Sequence, residues 1–286
     1  MQRSTLSIIA VVALIISATA AYAYTSGPPS QTPQLSSGHG VLFQASTYSA
    51  LQAGDYNGET SLKELRAHGD FGLGTFDALD GEMVLLNGTF YQIKSDGNVY
   101  VANDSMKSPF GDVTSFEVDR QLVFSEGLNG PLNYSELQHY LEQQLPTKNS
   151  FYAVKIMGEC SYLEVRSPPK QVMPYPPLSD ALKNQSVFEL HNVTGTFVGF
   201  FSPQYLSGIC VPGWHFHLLT SDNTHGGHVL EVALRRATIQ IDDITTLSVE
   251  LPHTATAPAT YPVVISVAVN SISFIFLPPR NYVATS

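Results

Sequence analysis

The stretch Gly195–Glu231, GTFVGFFSPQYLSGICVPGWHFHLLTSDNTHGGHVLE, constrains this chain more than any other. His215 and His217 alternate with Phe216 inside an apolar run, so on a strand both rings leave the same face, with Cα atoms about 6–7 Å apart. Ser221–Gly227 (SDNTHGG) is dense in turn formers, and Val229–Leu234 reads as a returning strand. Such a hairpin brings His228 back beside the first pair. Three neutral imidazoles with a fourth position open are the arrangement of a catalytic rather than a structural zinc site. A lone strand histidine is ordinarily a packed or surface residue, so the reading rests on the set of three. His225, inside the turn itself, competes with His228 for the third place.

The rest of the chain is also mostly β. Phe71–Val101 alternates apolar strands with Asp80-Gly81, Asn87-Gly88 and Asp96-Gly97, hairpin dipeptides that predict a β-meander. Phe116–Phe124 reads as a strand, and Phe151–Arg166 as a long strand or a pair broken near Gly158. Further strands are expected at Phe188–Val193, Thr196–Phe201, Ala237–Ile244, Leu247–Leu251 and Val263–Phe276. Short helices are expected at Ser61–Ala67, Tyr134–Gln144 and Ser179–Gln185. Ser167–Pro177 holds five prolines and cannot be regular structure, so it reads as a crossing between two halves. The expected fold class is α+β, predominantly β: two packed β-rich halves, a mixed sheet plus a barrel-like sheet, with a few short helices. The halves are 41–177 and 178–286, the second carrying the histidines.

Residues 1–23 read as a targeting segment. Arg3 precedes an apolar run from Leu6 to Thr19, and Ala21-Tyr22-Ala23 fits the small-x-small cleavage rule. Cleavage after Ala23 gives a secreted or extracytoplasmic protein; an uncleaved membrane anchor is the alternative. Residues 24–40 form a Pro/Ser/Gly/Thr-rich linker, expected to be disordered. Five N-x-Ser/Thr sequons begin at Asn87, Asn103, Asn133, Asn184 and Asn192. The chain has 14 basic against 24 acidic residues, a formal charge of −10. With no basic stripe to neutralise phosphates, nucleic acid is excluded as a partner, and anionic membrane surfaces are disfavoured. Cys160 and Cys210 are the only cysteines. One bridge is open to them in an oxidising compartment, but they form no metal knuckle. Buried packing is the default for Cys210, five residues before His215.

Two other residues bear on chemistry. Glu82 opens an alternation with Val84 and Leu86 just after the Asp80-Gly81 turn. It points inward if those residues face a core; otherwise it is a turn-edge residue. Arg166 follows Tyr162 and Glu164 at strand spacing. Its planar fork suits a carboxylate substrate, the competing reading being a surface ion pair with Glu164 or Glu159.

Gly74–Val99 (GTFDALDGEMVLLNGTFYQIKSDGNV), Phe151–Tyr175 (FYAVKIMGECSYLEVRSPPKQVMPY) and Gly195–Val232 together resemble the α-acetolactate decarboxylase family, in the expected order, over most of Gly69–Pro252. The resemblance implies a carboxy-lyase that converts (S)-2-acetolactate to (R)-acetoin and carbon dioxide. It also implies Zn2+ held by His215, His217 and His228 as Lewis acid on an enediolate, and a homodimer. It assigns catalytic places to Thr75, Glu82 and Arg166. The chain departs from the family in having no Asp or Glu after Glu250, where a second active-site glutamate is expected. That departure puts proton delivery in question and leaves Glu82 as the remaining candidate. Three rival readings follow: a silent metal-binding relative, a decarboxylase of a related 2-hydroxy-3-oxo acid, and a cupin-like dioxygenase using iron.

Overall fold

A computed structural model describes residues 39–252, Asn129 excepted. The leader, nearly all of the linker and the strand expected at Val263–Phe276 lie outside the described residues. Among the described residues, no helix is long and apolar enough to cross a membrane.

Among the described residues, fourteen strands run in chain order. They are β1 (Val41–Ala45), β2 (Thr60–Ser61), β3 (Phe71–Thr75), β4 (Glu82–Leu86), β5 (Thr89–Ile93), β6 (Val99–Val101) and β7 (Lys107–Ser108). There follow β8 (Phe110–Thr114), β9 (Arg120–Ser125), β10 (Phe151–Ser167), β11 (Ser186–Ser202), β12 (Gly213–Thr220), β13 (Gly226–Ile244) and β14 (Thr246–Glu250). One sheet has seven strands in the order β14-β1-β8-β3-β4-β5-β6. The other runs β10-β11-β12-β13-β9, and β10 also pairs with β13, so four of its strands close into a ring. The fold is thus predominantly β, with a mixed sheet, a ringed sheet and a few short helices.

The meander forms as its turns dictate. Asn87 and Gly88 both take positive φ, 50° and 75°, the pair that a two-residue hairpin with right-handed strand twist requires. Helices sit where caps are present. Ser61 and Asn133 each cap a helix, Leu62–Arg66 and Tyr134–Glu142, and each makes a reciprocal capping box with a glutamate three residues on. A helical turn at Leu178–Ala181 continues as a 3-10 turn to Asn184.

Three expectations shift. The strand expected from Phe116 starts at Arg120, because Glu117 and Asp119 give their backbone N–H groups to Asp242 Oδ2 and to the Ile241 carbonyl. Neither β10 nor β11 breaks at its glycine. A Cβ on Gly158 would lie 2.7 Å from Leu234 Cδ1, and one on Gly195 2.9 Å from the Leu219 carbonyl, so both glycines admit close packing instead of ending a strand. Sheet membership also does not follow chain order. β9 and β10 precede the proline-rich crossing yet belong to the ringed sheet, and β14 returns to lie parallel to β1.

Alternation along each strand separates two cores. Val154, Ile156, Phe197, Phe216, Leu218 and Val229 fill the ring. Leu42, Leu73, Val84, Ile93, Val198 and Phe200 form the layer between the two sheets. The face of β12 opposite Trp214 and Phe216 therefore looks toward β4 of the other sheet.

Candidate metal centre

That face carries His215 and His217. His217 is paired across the sheet with Val198 on β11 and His228 on β13, and His228 in turn with Arg166 on β10. One row of side chains across four strands thus collects two histidines and the arginine. Two local features make the row possible. A bulge on β13 lets Glu164 face Glu231 and Val165 face Val229, skipping Leu230, which turns His228 to the side of Arg166. The Gly226-Gly227 pair lets the backbones approach: a Cβ at Gly227, where φ is +140°, would lie 2.5 Å from the Arg166 carbonyl.

The three rings converge. Their centroids are 4.9 Å apart for His215–His217 and His215–His228, and 5.3 Å for His217–His228. His215 Nε2 and His228 Nδ1 are separated by 3.1 Å, close to the about 3.3 Å between two donors of a tetrahedral zinc with bonds near 2.0–2.1 Å. His217 Nδ1 donates to the Met83 carbonyl at 2.8 Å, which fixes the tautomer and leaves Nε2 as a lone pair directed at the other rings. His217 Nε2 and His215 Nδ1 are buried without hydrogen-bond partners. His215 offers an ion only one of its nitrogens, so the unpartnered nitrogen that argues for a ligand here is His217 Nε2, costly unless something binds it. All three imidazoles are held far toward the neutral form by burial, with Arg166 adding to it at each and neighbouring rings at His215 and His228; the Met83 hydrogen bond opposes the drop at His217, which is still pushed down to about 3. Neutral nitrogen is the form that ligates, so the donor set fits a zinc ion. His225 takes no part: it stands exposed in the turn, its Nδ1 against Thr224 Oγ1.

The seven-stranded sheet supplies the carboxylate. Glu82 shares a face with Val84, so it points into the layer between the sheets and is buried, not left at the turn edge. Its Oε2 lies 3.4 Å from His217 Nε2 and its Oε1 3.6 Å from Arg166 Nη1. Burial pushes Glu82 up to about 7, and the Arg166 guanidinium opposes that rise. Arg166 therefore does not form the alternative surface pair: Glu159 is bound by Arg236 and Glu164 by the Tyr162 hydroxyl. Thr75, buried and paired across the sheet with Glu82, donates from Oγ1 to the Gly81 carbonyl at 2.7 Å, anchoring the turn that presents Glu82. Thr75 makes none of its polar contacts with the rings.

Several supporting residues escaped sequence reasoning. Gln92 Nε2 donates to the Asp80 carbonyl at 2.6 Å, Lys94 pairs with Asp80 at 3.1 Å, and Ser167 Oγ donates to the Ile93 carbonyl at 2.8 Å. They tie the Asp80–Glu82 turn to β5 and β10. Cys160 and Cys210 are free thiols buried in different cores, and neither belongs to the cluster. Glu250, the last carboxylate of the chain, accepts from Thr60 Oγ1 at 3.0 Å.

The chain is similar to known proteins of one family. The sequence model of the family described as "Alpha-acetolactate decarboxylase" matches residues 42–257. The chain is 45% identical over 212 residues to the alpha-acetolactate decarboxylase of Methanosarcina mazei, covering 74% of this chain and 72% of that one. It is 43% identical over 214 residues to that of Brevibacillus brevis, covering 75% and 74%. The crystal structure of alpha-acetolactate decarboxylase from Bacillus subtilis strain 168 superposes with a TM-score of 0.72 at 35% identity, over 76% of this chain and 91% of the other.

Proposed function

The chain belongs to the alpha-acetolactate decarboxylase family and decarboxylates acetolactate; from that premise we propose that it does so as a zinc enzyme, converting (S)-2-acetolactate to (R)-acetoin. His215, His217 and His228 hold the ion in this reading. The carrying observation is their convergence, with His217 Nε2 unpartnered, within reach of Glu82 and Arg166. Zinc supplies Lewis-acid stabilisation of the negative charge that loss of carbon dioxide leaves on the ketone oxygen.

The remaining work falls to the protein. Arg166 offers its fork to the substrate carboxylate and sets the breaking bond perpendicular to the forming π-system. Partial exposure of the Arg166 side chain, 15%, leaves it reachable from solvent. Glu82 moves a proton to one face of the carbon that carbon dioxide has left. Its carboxyl lies 3.4 Å from His217 Nε2 and 3.6 Å from Arg166 Nη1, the position a proton-transfer group needs beside the imidazole cluster. Thr75 positions the Glu82 turn. In this reading proton handling rests on Glu82. The proposal includes a homodimer, carried by the family resemblance, and an exported location, carried by the leader sequence.

The test is His217→Ala in the full chain. It should lose one equivalent of zinc and acetoin formation together, the rate falling at least about 10³-fold. An active variant lacking that zinc sinks the proposal.

A further inference from the structure

A second set of ligating groups lies where the chain enters the sheets, at the far end of β13. We propose that His39, Asp119 and Asp242 form a second binding site for a divalent cation of the zinc class, structural in role and separate from the three-histidine centre.

One donor atom of each residue lies within 4.8 Å of one from either of the others. His39 Nδ1 is 3.4 Å from Asp242 Oδ1, and His39 Nε2 is 3.5 Å from Asp119 Oδ1. Charge-assisted hydrogen bonds close to about 2.7–2.9 Å, so these pairs are not simply hydrogen-bonded. The two distances run from different ring nitrogens, so one ion takes one of them, and the three chosen donor atoms lie within 4.8 Å of one another. The carboxylates are pre-aimed. Asp119 accepts the Asp243 N–H on Oδ2 at 2.7 Å, and Asp242 accepts the Glu117 N–H on Oδ2 at 3.2 Å. Each thereby fixes one oxygen with backbone and turns the other toward His39, as second-shell hydrogen bonds do for metal ligands.

Asp242 is the independent sign of a ligand. It is wholly buried, on the face of β13 that meets the layer between the sheets, and its Oδ1 has no hydrogen-bond partner. Its one charged neighbour there, His39 Nδ1 at 3.4 Å, is too far for a charge-assisted hydrogen bond, so the buried oxygen is under-satisfied and a cation would satisfy it. Glu117 Oε2, 3.7 Å from His39 Nδ1, adds a further negative charge at the exposed side. Asp243 faces away and is bound by Arg120. The donor set mixes one imidazole with carboxylates, which suits zinc and similar transition ions better than calcium, whose ligands are oxygen alone.

The site would fasten three segments: the entry at His39-Gly40, the loop before β9, and the end of β13. The entry is already placed, since the Gly40 carbonyl accepts the Thr245 and Thr246 N–H groups at 3.0 Å each. Binding at a hundredfold excess over the dissociation constant would raise the unfolding midpoint by about 5–10 °C.

The experiment is zinc stoichiometry by equilibrium dialysis of the full chain, with acetoin formation measured on the same samples. Wild type should hold two zinc ions, and His39→Ala and Asp242→Asn one each with turnover within about twofold of wild type. His217→Ala should retain the His39 site and hold one. One zinc per wild-type chain together with none in His217→Ala would overturn the proposal, as would two zinc ions in both His39→Ala and Asp242→Asn. Failure of the three-histidine reading looks different: His217→Ala would then keep its activity.

Discussion

The two histidine clusters differ in what they leave on an ion. Around His217 the donors are three neutral imidazoles, packed between sheets, with a guanidinium as the nearest formal charge apart from Glu82. Around His39 the candidate donors are one exposed imidazole, one exposed carboxylate and the buried carboxylate of Asp242. A dication held by neutral nitrogens would keep its charge for whatever occupies the open position, in the proposed reading an anionic keto acid. A dication held by two carboxylates is already neutralised and serves to join chain segments. Ligand charge, more than ligand count, separates a place for chemistry from a fastening.

The sharpest way to break this contrast is to neutralise one carboxylate in each cluster. Glu82→Gln should keep zinc at the imidazoles but lower turnover by about 10²–10⁴-fold, the usual contribution of a positioned acid–base group. Asp242→Asn should leave turnover within about twofold. Steady-state acetoin formation reads both, and unchanged turnover in Glu82→Gln would mean that the proton comes from another group. Next in size is backbone access. In Gly227→Ala the new Cβ meets the Arg166 carbonyl at 2.5 Å at a φ of +140°. Backbone must move, His228 and Arg166 with it, so zinc affinity and activity should both fall by at least about tenfold. A variant with wild-type affinity would show that the hairpin tolerates the shift.

Asp112 sharpens the comparison as a buried carboxyl with neither imidazole nor guanidinium beside it. It lies on the face that meets the layer between the sheets, opposite Leu73 and Gln44, and burial alone pushes it from 3.8 up to about 7. The folded chain then holds a proton that the unfolded chain releases between about pH 4 and 7, so this group's contribution to stability is greatest near pH 4 and is lost as pH rises through 7. Asp112→Asn should remove that slope, worth a few kcal/mol across the window. Denaturant unfolding at pH 4.5 and 7.5 measures it; equal slopes in both proteins would place the ionised carboxylate in a better-solvated site.

Much of this was legible in the sequence because alternation and turn chemistry are local. GWHFHLL puts His215 and His217 on one face wherever the strand goes, and Asn-Gly at 87–88 builds its hairpin alone. Glu82 was half legible: its alternation with Val84 and Leu86 aimed it inward, but only the opposite sheet decides that inward means buried beside His217. The bulge at Leu230, the Met83 carbonyl that fixes His217, and the return of β14 to β1 left no local mark, since each depends on strands far apart in the chain. The His39 cluster was missed for the same reason. His39 fell in a stretch read as linker, and no local pattern marks Asp119 and Asp242 as its neighbours.

The smallest effect expected tests the fastening through its own glycine. Gly40 follows His39 and has φ +79°, yet a Cβ there would meet only the Thr245 hydroxyl at 3.5 Å and the Asp243 carbonyl at 3.6 Å, ordinary contacts. Unlike Gly227, it faces no close backbone, so Gly40→Ala bears only the strain of a left-handed conformation, about 1–2 kcal/mol. In a domain of this size that lowers the unfolding midpoint by about 2–8 °C. Because the Gly40 carbonyl still receives the Thr245 and Thr246 N–H groups, His39 stays beside Asp242, and added zinc should raise the variant's midpoint as much as the wild type's. A zinc-dependent shift that vanishes in Gly40→Ala would mean that the entry segment moves as a unit, making the His39 cluster as dependent on one glycine's backbone as the three-histidine cluster is on Gly227.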